Sequence, residues 1–227
     1  MDTQPPAIPR SLFVLSIFYG GMVCIAGVLG NKQVALGPVS QIGTWVGVGP
    51  LAVEAGIFAF LLLVAVSSAV AELHGRATAN KLVLFGFIPL VMSILLAVLV
   101  LALPPSPSMD PARLAGFELV MGGTWRLWLG GILAYGTSQT LNVTIFSALR
   151  RGTGGLLWLR AGIASVLSQI VDTLIFVTVA FYGVFPIGEL LVGQMLAKVT
   201  LSIVLVPALI YLFVGIGRAL DGGARPA

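Results

Sequence analysis

Long apolar stretches separated by short polar breaks run the length of this chain, and six of them read as helices: 11–29, 51–73, 81–103, 125–149, 159–182 and 187–216. Each is close to or above the ~20 residues that a helix needs to cross a hydrocarbon core. The breaks carry helix-ending residues. Gly30-Asn31-Lys32-Gln33 ends the first stretch, Gly75 the second and Pro104-Pro105-Ser106-Pro107 the third. A glycine-rich connection through Gly37-Pro38, Gly43, Gly47 and Gly49-Pro50 follows the first, and 109–123 has room for a short surface helix. Arg150-Arg151-Gly152 leads into the fifth stretch and Phe185-Pro186 into the sixth. Pro89 and Pro207 fall inside the third and sixth, where proline removes a backbone hydrogen bond and bends a helix. The fold class expected is an all-α integral membrane protein. Residues 11–217 form a single domain of six transmembrane helices, and 1–10 and 218–227 are irregular cytoplasmic tails.

Polar positions inside the apolar stretches carry more information. The fourth stretch places Tyr135, Ser138, Gln139 and Asn142 at i, i+3, i+4 and i+7, and the fifth repeats that spacing with Ser165, Ser168, Gln169 and Asp172. Gln194, Lys198 and Ser202 follow at i, i+4 and i+8 in the sixth. Residues so spaced share one helical face. Gln139, Asn142, Asp172 and Lys198 each fall near the middle of their helix, so they meet at one depth. An ionisable group there costs about 2.5–3.5 kcal/mol on insertion scales, and such groups turn toward partners or water inside the bundle. The alternative reading is that the amides and hydroxyls only join helices and that Asp172 with Lys198 is only a structural ion pair. A carboxylate, an ammonium and several amides converging from three helices favour a midplane binding site of the kind transporters build. Glu54, near the outer end of the second stretch, joins that site or lines its mouth. Glu72, His74 and Arg76 read as a solvated cluster at the opposite end.

An internal echo strengthens the pattern. Residues 138–146 and 168–176 share S-Q-x-x-[ND]-x-x-I-F on neighbouring helices of opposite direction, as an inverted repeat bracketing a ligand would.

Composition agrees and narrows the classes. The 227 residues are 58% hydrophobic and 9% charged, against roughly 25% charged in a soluble domain. The net charge of +4 is a matter of orientation, not of nucleic-acid binding. Arg10, Arg76, Lys81, Arg150, Arg151, Arg160, Arg218 and Arg225 fall on one side of an alternating six-helix arrangement, and Lys32, Arg113 and Arg126 on the other. Both termini are therefore expected in the cytoplasm. A single cysteine, Cys24, and a single histidine, His74, leave no disulfide framework, no metal site and no cofactor ligand set. Motifs for metalloproteases, serine hydrolases and nucleotide binding are missing, and an enzyme is not expected. The first stretch lacks a basic leader and cleavage site and reads as a retained helix. Asn142-Val143-Thr144 spells a glycosylation sequon at an intramembrane position, where it cannot act.

The residues carry a family resemblance. Leu159-Arg160, Ser165, Ser168-Gln169, Asp172-Thr173, Phe176 and Phe181-Tyr182-Gly183 resemble a pattern in the queuosine precursor transporters of the vitamin uptake transporter group. Glu72-Leu73-His74-Gly75 is similar to that family's second-helix ending. Tyr135, Gln139, Asn142 and Phe146 fit its fourth helix and Lys198 its last. Ser68 and Asn142 depart from it, because members often carry aspartate at both. The resemblance implies import of a 7-deazaguanine, such as 7-cyano-7-deazaguanine or its aminomethyl relative, across the bacterial inner membrane. Asp172 would accept from the N1–H and 2-amino edge of the ring. Gln139, Asn142 and Gln169 would read its carbonyl and ring nitrogens, Phe146 and Phe176 would stack on its face, and Lys198 would hold Asp172 charged. The partners are then a small deazapurine and the lipid bilayer, with a second copy or energy-coupling subunits left open. A substrate-binding subunit of an energy-coupling transporter and a membrane scaffold are the competing readings.

Overall fold

A computed structural model describes residues 8–45, 47, 49–123, 125–150, 156–183 and 187–222, apart from the side chains of Val39 and Glu189. The elements in chain order are α1 (Arg10–Leu29), β1 (Gln33–Ala35), a 3-10 turn (Gly37–Ser40), α2 (Gln41–Trp45), β2 (Ala52–Glu54), α3 (Gly56–His74), α4 (Arg76–Ala102), α5 (Pro111–Met121), α6 (Trp125–Leu149), α7 (Leu157–Phe181) and α8 (Gly188–Gly222). The chain is an all-α membrane protein with one small hairpin. The helices α1, α3, α4, α7 and α8 are long and apolar enough to cross a membrane. At 25 residues α6 equals α7 in length, and its row of hydroxyls and amides is what lowers its hydropathy.

The central helix is α3. In its most apolar window 67% of residues are buried, against 11% in α4, whose Leu84, Phe85, Ile88, Met92, Leu95, Leu96 and Leu99 are exposed. An all-round apolar helix without water-facing residues belongs in lipid on its exposed side. Around α3 stand α1, α4, α6, α7 and α8, with α6 and α7 packed most closely on each other. The short residues Ala65, Ser67, Ser68, Ala69 and Ala71, all buried, let those neighbours approach the α3 backbone.

The two ends of the bundle differ. At one end, where α1 begins and α8 finishes, Gly75 turns α3 directly into α4 with φ +84°. There Ser11 at the start of α1 bonds His74 Nε2 at 2.7 Å and donates to Asp221 Oδ2 at 2.5 Å. Asp221 Oδ1 also accepts from the Ser11 backbone N–H at 3.0 Å. At the other end β1 and β2 pair antiparallel in the register Gln33↔Glu54, Val34↔Val53 and Ala35↔Ala52. Ser40 knits this hairpin by accepting from Leu36 N–H and donating to Leu51 O, both at 2.8 Å. Exposed α5 lies beside it, joined to α1 by Asn31 Nδ2 donating to Val120 O at 3.0 Å.

Three boundaries depart from the sequence expectation. Residues 51–54 belong to the hairpin instead of the second helix, so Glu54 sits on β2 and α3 starts at Gly56. Only glycine fits at that start, because a Cβ on Gly56 would stand 2.6 Å from Ala26 O of α1. The third helix begins at Arg76 instead of Lys81, its first turn tied back by Thr78 Oγ1 donating to His74 O at 2.9 Å. The last helix runs to Gly222, past the expected start of a disordered tail at 218, where Asp221 docks on Ser11. The expected surface helix in 109–123 is α5, capped by Asp110, which accepts from Ala112 N–H at 3.0 Å. The helices continue through Pro89 and Pro207. The Phe185-Pro186 turn, Arg151-Gly152, most of the amino-terminal tail and the last five residues with Arg225 lie outside the described residues.

Candidate functional site

The three polar faces read from spacing are all turned inward. On α6 Tyr135 is 6% exposed while Ser138, Gln139 and Asn142 are fully buried, and α7 buries Ser165, Ser168, Gln169 and Asp172. On α8 Gln194, Lys198 and Ser202 are buried too. Helical periodicity and the cost of polar groups in an apolar surround produce this arrangement together.

Where the faces meet, Asp172 is the hub. Its Oδ1 accepts from Ser138 Oγ at 3.2 Å and its Oδ2 faces Lys198 Nζ at 3.4 Å. Ser138 is the first position of one copy of the repeated motif and Asp172 the fifth of the other, and antiparallel packing brings the two together. The Asp172–Lys198 separation exceeds the ~2.7–2.9 Å of a tight charge-assisted bond. The same ammonium lies 5.8 Å from the centroid of the Phe176 ring, at the outer limit of a cation–π contact.

Asp172, Lys198 and Phe176 line a cavity of about 450 Å³ that extends toward the hairpin end. Its wall includes Glu54 on β2, Trp128 and Tyr135 on α6, and Phe181 on α7. Glu54 Oε1 accepts from Gln194 Nε2 at 3.1 Å, one turn of α8 away from Lys198. Four of the residues expected at the site, Asp172, Lys198, Phe176 and Glu54, therefore share one cavity.

The other four do not line it. Gln139 accepts from Ser67 Oγ at 3.2 Å, and Asn142 donates to Ser68 Oγ at 3.0 Å and Ser67 Oγ at 3.3 Å, so both amides face α3. Phe146 carries the guanidinium of Arg160 over its ring at 4.3 Å. Gln169 is fully buried with neither amide atom partnered among the described residues. Ser68 and Asn142, the two departures from the family pattern, bond each other.

Two further constellations escaped the spacing analysis. Arg160 is only 2% exposed and donates from Nη2 to Glu72 Oε2 at 2.6 Å, a buried ion pair between α7 and α3. The solvated cluster expected there is instead split: Glu72 goes to Arg160 and His74 to Ser11. Tyr19 on α1 and Tyr135 form a buried hydroxyl pair at 3.0 Å, and Tyr135 donates onward to Val83 O of α4 at 3.0 Å. Tyr19 has only Ser16 one turn away to mark it, and Arg160 stands at a helix end where basic residues ordinarily meet water.

Residues 54–212, from the cavity wall through all three polar faces, match the family described as "Putative vitamin uptake transporter". The chain belongs to that family. It is thus a multi-pass membrane protein of a transporter family, and in a bacterium its place is the inner membrane. A Bacillus subtilis (strain 168) protein named "Probable queuosine precursor transporter" is 37% identical over 141 residues, which cover 60% of this chain and 61% of that protein. The match therefore spans less than two thirds of that relative's length. No solved structure matches the chain.

Proposed function

We propose that this transporter imports a queuosine precursor, 7-cyano-7-deazaguanine or a related 7-deazaguanine, and that Asp172 at the inner end of the cavity holds it. The observation that carries the reading is a buried carboxylate with spare acceptor capacity in a cavity of small-molecule size. A carboxylate offers about four lone-pair sites, and Ser138 and Lys198 engage one each. The two that remain suit the paired N1–H and 2-amino donors of a guanine-like ring. The cavity volume of about 450 Å³ is within the ~300–1,000 Å³ usual for ligand sites. Phe176 supplies a planar partner, Lys198 a donor for the ring carbonyl, and Glu54 a polar group at the wall. The name of the Bacillus subtilis relative supports the same substrate class.

The membrane arrangement belongs to this proposal. All six long helices cross, α6 included, because α3 and α7 cover its polar face. The excess of basic residues at the end bearing the termini puts that end in the cytoplasm. The cavity then lies toward the outside, as an importer's binding state requires. Transport, not catalysis, is the activity, and the chain works without an energy-coupling subunit.

The test is rescue of queuosine in tRNA in a strain that can neither make nor import the precursor, at limiting external precursor. The chain restores the modification and its Asp172→Ala variant does not. Equal rescue by the variant refutes the site, and no rescue by the parent refutes the substrate.

A further inference from the structure

The cavity ends at Asp172, yet the buried polar groups continue beyond it. Arg160 precedes Asp172 by twelve residues on α7, about 18 Å along the axis at 1.5 Å per residue. Between those two levels lie Ser165 and Gln169 of α7, and α6 contributes Gln139 and Asn142 on its run toward the same end. Ser165 Oγ, both amide atoms of Gln169, Gln139 Nε2 and Asn142 Oδ1 are buried and have no partner among the described residues. Buried polar groups in a purely structural role are almost always paired, because leaving them unpaired costs stability. A run of such groups in one segment, continuing from a ligand cavity, is what a path looks like while it is shut.

Something closes it at the far end. Glu72 of α3 and Arg160 of α7 meet at 2.6 Å, and the guanidinium stacks on Phe146 of α6 while donating from Nε to Phe146 O at 3.4 Å. The three helices that supply these groups all line the cavity, and two of them, α6 and α7, supply the unpartnered segment. Drawing α3 and α7 apart at this end requires the ion pair to break. Its charges can separate only into water, and opening that face admits water.

We propose that the Arg160–Glu72 ion pair, with Phe146 beneath it, is the gate on the face bearing the termini, and that Gln139, Asn142, Ser165 and Gln169 line the half of the transport path it closes. This rests on the transporter reading of the cavity. It gives the four expected site residues that miss the cavity wall a place later along the substrate's course, Gln139, Asn142 and Gln169 on the path and Phe146 beneath the gate. The substrate leaves Asp172, passes these amides and exits when the pair opens.

The test needs no substrate and so fails separately from the substrate assignment. In a Cys24→Ser background, Ser165→Cys puts a thiol in the unpartnered segment between gate and Asp172. Inverted membrane vesicles, which expose the face bearing the termini, are labelled with a membrane-impermeant maleimide. The thiol is protected with the gate intact. Glu72→Gln raises its labelling rate at least tenfold, and so does Arg160→Lys, which keeps the charge but loses the fork and the flat stack on Phe146. The reversed pair Glu72→Arg with Arg160→Glu restores most of the protection. Labelling that is equal in all four backgrounds overturns the gate, and so does a reversed pair that labels like Glu72→Gln. Failure of every gate variant to accumulate in the membrane overturns it too, since the pair is then a structural brace.

Discussion

Asp172 and Lys198 hold each other at 3.4 Å, and the looseness of that pair separates two functions that substitutions can pull apart. Asp172→Asn keeps the shape and removes the charge, so the hydrogen bonds it offers a ligand weaken. Bonds to a charged group contribute about 1.5–3 kcal/mol, which corresponds to roughly 10- to 150-fold weaker binding of 7-cyano-7-deazaguanine by the purified protein. Lys198→Met acts on stability instead, because it leaves a buried carboxylate with Ser138 as its remaining bonded partner. Breaking a buried pair from one side costs about 3–5 kcal/mol, visible as earlier thermal unfolding in detergent. Combining Asp172→Asn with Lys198→Met recovers most of that stability and no binding. A double variant as unstable as Lys198→Met alone means the two side chains do not act as a pair. Asp172 and Lys198 were legible in the sequence because charge inside an apolar run is conspicuous and has few places to go. Arg160 and Glu72 were not, since each stands near a helix end where solvation is the ordinary fate, and 88 positions separate them.

Helix faces were more legible than helix ends. The spacing of Tyr135, Ser138, Gln139 and Asn142 marked one face of α6, and that face is buried throughout. Periodicity reports orientation directly, whereas an end depends on contacts from distant segments: Ser11 holds the last turn of α8, and the close approach of α1 fixes the start of α3 at Gly56. The hairpin was invisible because three-residue strands are too short for an alternating pattern to declare itself. Packing between elements leads to a prediction at Gly86 of α4. A Cβ there would meet the Tyr135 hydroxyl and stand 2.9 Å from the Tyr19 ring. Gly86→Ala therefore drives α4 from α6 and strains the Tyr19–Tyr135–Val83 chain, at a cost of about 1–3 kcal/mol typical of overpacking. Thermal unfolding in detergent measures it, and adding Tyr135→Phe, which frees that space, offsets part of the loss. An unchanged midpoint for Gly86→Ala means that this helix contact is looser than the structure indicates.

For the molecule as a whole, the bundle is asymmetric along its axis. A cavity with Asp172, Lys198, Phe176 and Glu54 extends toward the hairpin end, and an ion pair and a serine–histidine–aspartate clasp join helices at the other. Sequence patterning gave the inward polar faces, and the resemblance to the transporter family gave a ligand. Neither could separate Asp172, Phe176 and Lys198, which line the cavity, from Gln139, Asn142, Phe146 and Gln169, which do not, because both sets lie on inward helical faces and differ in position along the axis. On the proposed function this chain, by itself, carries a 7-deazaguanine across a membrane through the Asp172 site. Purified protein reconstituted alone into liposomes, given radiolabelled 7-cyano-7-deazaguanine, measures that most directly. The expected result is uptake that saturates, is competed by unlabelled ligand and falls at least tenfold with Asp172→Asn. No uptake above empty liposomes, or uptake that Asp172→Asn leaves unchanged, contradicts it.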